Sequence, residues 1–189
     1  MWHPKSKAGC SNIPVTGTDF YPTLLDLCGL PQKPQQHIDG VSLKNVVCND
    51  GSNESNQLKN RDLFWHYPHY SNQGGDPSTF IRHQDWKLIR YHETQSVELY
   101  NLKRDPGEQN DISQRHTKLV KELSEKIENW LYAVGAKMPT VNENFDLDQW
   151  NQQQDRIKNK ILPRIEKNAA NLLKENFQPG GGWWEETGK

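Results

Sequence analysis

Residues 85–111 constrain the fold of this chain more than any other stretch. Trp86-Lys87-Leu88-Ile89-Arg90-Tyr91 and Val97-Glu98-Leu99-Tyr100-Asn101 alternate bulky and polar side chains. That is the period-two pattern of strands buried on one face. Asp105-Pro106-Gly107 then supplies turn chemistry, because proline presets φ and glycine accepts positive φ. Beyond it, Leu119, Val120, Leu123, Ile127, Trp130, Leu131 and Val134 recur at helical spacing, so a helix is expected over 114–134. Gly135 and Pro139 mark its end. Strands over 62–66, 79–82, 86–92 and 96–101 with this helix dictate an α+β unit: four antiparallel strands whose apolar face the helix covers.

Residues 1–17 read as an extended lead-in. A helix is expected over 19–28, with Thr18 as N-cap, Pro22 in the first turn and Gly29 as the C-terminal glycine. Its apolar set, Phe20, Leu24, Leu25, Leu27 and Cys28, covers too broad a face for a lone solvated helix. Residues 31–60 are loop-rich, with a short helical piece near 43–47, and the polar run 49–60 marks a boundary. Trp150, Ile157, Ile161, Ile165, Ala169 and Leu172 again fall at helical spacing over 148–176, where Pro163 should kink or divide the helix. Residues 180–184, Gly-Gly-Gly-Trp-Trp, read as a frayed tail.

Hydrophobic residues make up only 33% of the chain, and mean hydropathy is −0.99. Burial must offset a large conformational entropy, so this composition points to a modest core, part of it needing a partner surface. A net charge of −1 provides no basic patch for nucleic acid. No run is long enough to span a bilayer, and residues 1–5 lack the apolar segment of a signal peptide. The three cysteines follow no zinc or redox spacing. Asn53-Glu54-Ser55 is a single glycosylation sequon.

The wording of several segments adds a family resemblance. The series Asp85-Trp86-Lys87-Leu88-Ile89, Glu98-Leu99-Tyr100-Asn101-Leu102 and Asp105-Pro106-Gly107-Glu108-Gln109-Asn110-Asp111 resembles the C-terminal subdomain of formylglycine-dependent sulfatases, in the alkaline-phosphatase-like superfamily. Thr18-Asp19-Phe20-Tyr21-Pro22-Thr23, Asp39-Gly40-Val41-Ser42-Leu43, Leu63-Phe64-Trp65-His66-Tyr67 and Val134-Gly135-Ala136-Lys137-Met138-Pro139 are similar to that family's words, in the same order. The resemblance covers roughly residues 1–145 and leaves the tail without a counterpart. It implies three parts: the tail end of the α/β catalytic domain over 1–60, the C-terminal subdomain over 61–140, and a helical or partly disordered tail over 141–189.

The resemblance implies hydrolysis of sulfate esters, on sulfated carbohydrates, by a parent protein that is exported (periplasmic, extracellular or lysosomal). Its nucleophile is a Cys or Ser of a Cys-x-Pro-x-Arg motif, oxidised to formylglycine beside calcium. Here Cys10 precedes Ser11-Asn12, Cys28 precedes Gly29-Leu30 and Cys48 precedes Asn49-Asp50, so none fits. No catalytic or metal-binding residue is therefore expected in this chain. Calcium and formylglycine are expected in an N-terminal catalytic region that it lacks, with which it would partner, and the chain alone is expected to be inactive. Two alternatives stand: a stand-alone carbohydrate- or partner-binding module, and part of a related phosphodiesterase or phosphonate hydrolase.

The candidate substrate-binding residues are Trp65, His66, His69 and Tyr70. In the resembled family this subdomain leans over the active-site mouth. The resemblance thus implies that His66 and His69 hydrogen-bond sugar hydroxyl or sulfate oxygens while Trp65 or Tyr70 stacks on the ring. Imidazole suits an anion, especially when protonated. The plainer alternative is a histidine that satisfies backbone groups within the sheet. Zinc is disfavoured, because two strand histidines three apart point to opposite faces and further ligands are missing. Gly74-Gly75 reads as a permissive loop, Arg82 and Lys87 as a solvated face, and Trp86 as packing under the helix. Asp105, Glu108 and Asp111 read as turn and capping acids.

Overall fold

The computed structural model describes residues 4, 6, 9–48, 56–70 and 75–176. The sequon at Asn53, Gly74 and residues 180–184 lie outside the described residues. Two compact units divide the chain, Met1–Pro139 and Thr140–Lys189.

In the first unit a 3-10 turn, Gly17–Asp19, leads into α1, Phe20–Leu27. The N-cap is Thr16, not Thr18 as its position predicts. Asp19 explains the difference: its carboxylate accepts the Thr16 backbone N–H at 2.8 Å and so starts the turn two residues earlier. Gly29 closes the helix with φ of +69°, the left-handed conformation expected of it. Two short helices follow, α2 (Lys44–Cys48) and α3 (Asn56–Asn60). Nothing in the polar run 49–60 predicts α3.

A polar hub holds this region together. Asp19 is fully buried. It accepts hydrogen bonds from the Val41 backbone N–H at 3.0 Å and from both terminal nitrogens of Arg61, at 2.7 and 2.5 Å. Arg61 also donates to the Pro14 carbonyl at 3.1 Å, and its Nε is buried with no partner among the described residues. Burial pushes the Asp19 carboxyl up, but the bonds from Arg61, Thr16 and Val41 outweigh it and hold the group below its ordinary value. Buried Thr23 donates to the Asp19 carbonyl at 2.6 Å and accepts from the Leu43 N–H at 2.9 Å. Gly40 has no room for a side chain, since a Cβ there would strike the Thr18 carbonyl oxygen. The Asp-Gly-x-Ser-Leu wording thus encodes a close backbone approach to the start of α1.

The sheet is a meander of β1 (Asp62–Tyr67), β2 (Ser78–His83), β3 (Trp86–Tyr91) and β4 (Val97–Asn101), every neighbouring pair antiparallel. Its register pairs Phe64 with Ile81, Ile81 with Leu88 and Leu88 with Leu99. These residues therefore form one row on one face. After a 3-10 turn at Ser113–Arg115, α4 (Thr117–Ala133) lays Leu123 and Ile127 onto that row. Ile81, Leu88, Leu99, Leu123 and Ile127 exclude solvent completely, each worth roughly 1.5–3 kcal/mol of transfer free energy. Phe64 stacks on Trp130 with centroids 4.9 Å apart. Trp86 packs half-buried against the same core, as its position predicts.

Polar pins fix the helix and the turn. Asp62 takes Lys126 of α4 on one oxygen at 2.8 Å and His83 of β2 on the other at 2.5 Å. Asp105 accepts the Gln109 and Asn110 N–H groups, and Asp111 those of Leu99 and Ser113. Both carry out the turn and capping duty their setting suggests. Gly135 ends α4 with φ of +60°.

In the second unit, Asp146 caps α5 (Leu147–Arg156) by accepting the Gln149 N–H at 3.0 Å. A π-helical segment, Ile157–Ile161, separates it from α6 (Leu162–Leu172). Pro163, in the first turn of α6, brings no N–H to the ladder, and the widened turn sits just before it. No described helix is long and apolar enough to cross a membrane.

Candidate functional site

The Trp65–Tyr70 cluster sits where β1 runs out, and strand alternation divides it. His66 pairs with Thr79 and points to the helix-covered face; Trp65 pairs with Phe80 on the opposite face, ring centroids 4.8 Å apart. His69, past the strand end, is exposed and lies 4.1 Å from the Tyr67 ring. The exposed Tyr70 hydroxyl donates to Glu93 at 2.7 Å, and that bond pushes its pKa up to about 12. The four residues share one end of the sheet, but Trp65 and His66 point to opposite faces of it.

His66 is engaged at both ring nitrogens. Nε2 lies 2.9 Å from the Lys137 carbonyl and Nδ1 lies 2.7 Å from the Thr79 hydroxyl, which is in turn 2.8 Å from His92 Nε2. A carbonyl only accepts, so His66 Nε2 carries the proton. In the neutral ring Nδ1 then accepts from the Thr79 hydroxyl, whose oxygen accepts from His92 Nε2–H. One arrangement of protons satisfies the whole chain. His92 is buried, and desolvation, followed by the nearby His66 and Arg90, holds its pKa below the ordinary 6.5. This relay fastens the segment after α4 to the end of β1. Thr79, His92, Glu93 and Lys137 were not among the residues singled out by sequence. The alternation of β2 placed Thr79 on the helix face, but nothing local pointed to the Lys137 carbonyl, 71 positions from His66.

Arg82 and Lys87 take up local partners: Arg82 donates to the Gln84 carbonyl at 3.3 Å, and Lys87 pairs with Glu108 at 2.6 Å above the Phe80 ring. Among the described residues no three His, Cys, Asp or Glu side chains lie together as metal ligands. Cys10 and Cys28 are exposed and Cys48 is half-buried, none beside such a cluster. The described residues do not assemble a formylglycine–calcium centre.

A family model described as N-sulphoglucosamine sulphohydrolase, C-terminal, matches residues 2–133. A sulfatase of Formosa agariphila is 35% identical over 127 residues, covering 60% of this chain and 22% of the relative. An N-acetylglucosamine-6-O-sulfatase of Bacteroides thetaiotaomicron is 34% identical over 132 residues, covering 67% of this chain and 23% of its own length. The solved structure of BT4656 with its substrate D-glucosamine-2-N,6-O-disulfate superposes with a TM-score of 0.50 at 33% identity, over 60% of this chain and 23% of that one. The chain thus spans less than a quarter of the length of these relatives. The matched region takes in the polar hub, the meander and α4, and the chain belongs to the sulfatase family, as the C-terminal portion of such a protein.

Proposed function

We propose that this chain is the closing subdomain of an enzyme that hydrolyses sulfate esters of sulfated carbohydrates. The observation that carries the reading is the match over residues 2–133, which coincides with the hub, sheet and helix described above. The relatives' printed activities, an N-acetylglucosamine-6-O-sulfatase and a complex with a disulfated glucosamine, point to sulfated amino sugars as the substrate class. The nucleophile and calcium belong to a region outside these 189 residues, so no chemical step is assigned to them. An exported setting accompanies this reading.

The surface of α1 supports a catalytic region as the partner. Phe20 is 51% exposed and Leu24 53%, and Ile38 in the following loop is 84% exposed. Asp19 and Thr23 take the buried positions instead, so the helix is anchored by polar bonds and presents apolar side chains outward. That is the face a catalytic α/β region would cover.

At the substrate rim, Trp65, His69 and Tyr70 are the contact residues, because their rings are exposed. His66 acts by holding the strand end. An immunoblot of the source organism with an antibody to this segment tests the reading. A band well above 22.0 kDa is expected, and a band at that mass would overturn it.

A further inference from the structure

A cavity of about 540 Å³ opens at the end of the sheet away from His66. Its volume falls within the roughly 300–1,000 Å³ of small-molecule sites. Trp86, which starts β3, and Ile112 give it an apolar wall; Arg104, Arg115 and His116 bring cationic or protonatable groups; Asn101 and Asn110 add carboxamides. Trp86 pairs with His83 and Asn101, whereas His66 pairs with Thr79 and Thr79 with Arg90. The cavity is therefore four strand positions from the His66 end, roughly 13 Å along the sheet.

Three features mark it as an anion site. First, both guanidiniums are exposed and neither has a hydrogen-bonding or ionic partner among the described residues, whereas the more buried Arg61, Lys87, Arg90 and Lys126 are paired with carboxylates. Second, Asp105, the carboxylate in the lining, turns to its own loop, accepting the Gln109 N–H at 3.1 Å and the Asn110 N–H at 2.8 Å. It keeps its charge but pairs with neither arginine among the described residues, so two guanidiniums stand against one carboxylate. Third, His116 is the N-cap of the 17-residue α4, whose N-terminus has neither a side-chain cap nor an acidic residue in its first turn. The positive end of that helix is uncompensated beside the cavity. Forked guanidiniums recognise sulfate or carboxylate oxygens, an indole face accepts a sugar ring, and carboxamides meet hydroxyl groups.

We propose that the Trp86–Arg104–Arg115–His116 cavity binds a sulfated sugar unit, as a second attachment point for substrates several sugars long, separate from the rim at Trp65, His69 and Tyr70. The choice of a sugar over another anion rests on the function proposed above. An enzyme held at two points along one polymer gains effective concentration at the rim without any new contact there.

The test is calorimetric titration of the full chain with a heparin-derived hexasaccharide, with an uncharged oligosaccharide of equal length and inorganic sulfate as controls. Saturable binding of the hexasaccharide is expected, weakened about tenfold or more by Arg104→Gln combined with Arg115→Gln. The same loss is not expected from Trp65→Ala with His69→Ala. A shift of the Trp86 indole N–H resonance on titration of the unsubstituted chain checks the location without any variant. Equal binding by the arginine variant, an unmoved Trp86 resonance, or no hexasaccharide binding at all would overturn the proposal. Sulfate release by the parent enzyme is assayed separately. Its absence sinks the sulfatase reading while leaving a measured hexasaccharide site standing, and its presence with undiminished binding in the variant sinks this site alone.

Discussion

The polar hub around Asp19 and the apolar core under α4 are both closed to solvent, yet they are built in opposite ways. The core stacks five aliphatic side chains from three strands and one helix. The hub ties Thr16, Val41 and Arg61 to one carboxylate, and Arg61 in turn donates to the Pro14 carbonyl. Packing seals the first on all sides. Hydrogen bonds fix the second while leaving Phe20 and Leu24 facing outward. Apolar burial completes the first region; directional bonds hold the second while its apolar surface stays free, as the function proposed above requires.

The largest effect expected on this contrast comes from Arg61→Ala. It strands a buried carboxylate, so stability should fall by about 3–5 kcal/mol in urea denaturation. A loss under ~1 kcal/mol would mean that the hub is decorative. Ile127→Ala should cost about 2–5 kcal/mol through the cavity it leaves. The two differ in kind: adding Asp19→Asn to Arg61→Ala should recover part of the hub loss, whereas no polar partner substitution rescues Ile127→Ala.

Acidification gives a smaller effect that separates the relay from the hub. The His92 pKa is depressed in the folded chain, so its contribution is complete above the ordinary 6.5 and is lost as pH falls through that value towards the folded one. The Asp19 contribution, from a carboxyl also depressed, is lost only below its ordinary 3.8. Thermal melts between pH 7.5 and 5 should show a falling Tm in the wild type and a flatter profile in His92→Gln. Identical slopes would remove His92 as the cause. The smallest effect belongs to the exposed pair Lys121–Glu125, at 4.0 Å. Lys121→Ala should change stability by no more than ~0.5 kcal/mol, and a larger change would show that α4 depends on its surface charges.

The core was legible from residue spacing alone, because packing against a sheet imposes periods of two and 3.6 that any window of the sequence displays. All four strands and α4 fall within a few residues of their expected places. The hub was legible only as family words. Asp19 and Arg61 are 42 positions apart, and no periodicity connects a carboxylate to a guanidinium across that distance. The shift of the N-cap from Thr18 to Thr16 comes from the Asp19 carboxylate three residues on, and α3 accompanies burial of Leu58 against Ile13 and Leu43, a contact that no short window displays. At the candidate rim, the residue types drew attention to His66. Only the fold brought Thr79 and the Lys137 carbonyl to its ring nitrogens, with His92 behind Thr79.

On the function proposed above, these residues close a sulfatase without containing its reacting groups. Sulfate release from D-glucosamine-2-N,6-O-disulfate by the purified 189-residue chain, measured in the presence of calcium, tests this. No release above the buffer rate is expected. Release at a rate abolished by chelation would contradict it, and would place a complete catalytic centre within these residues.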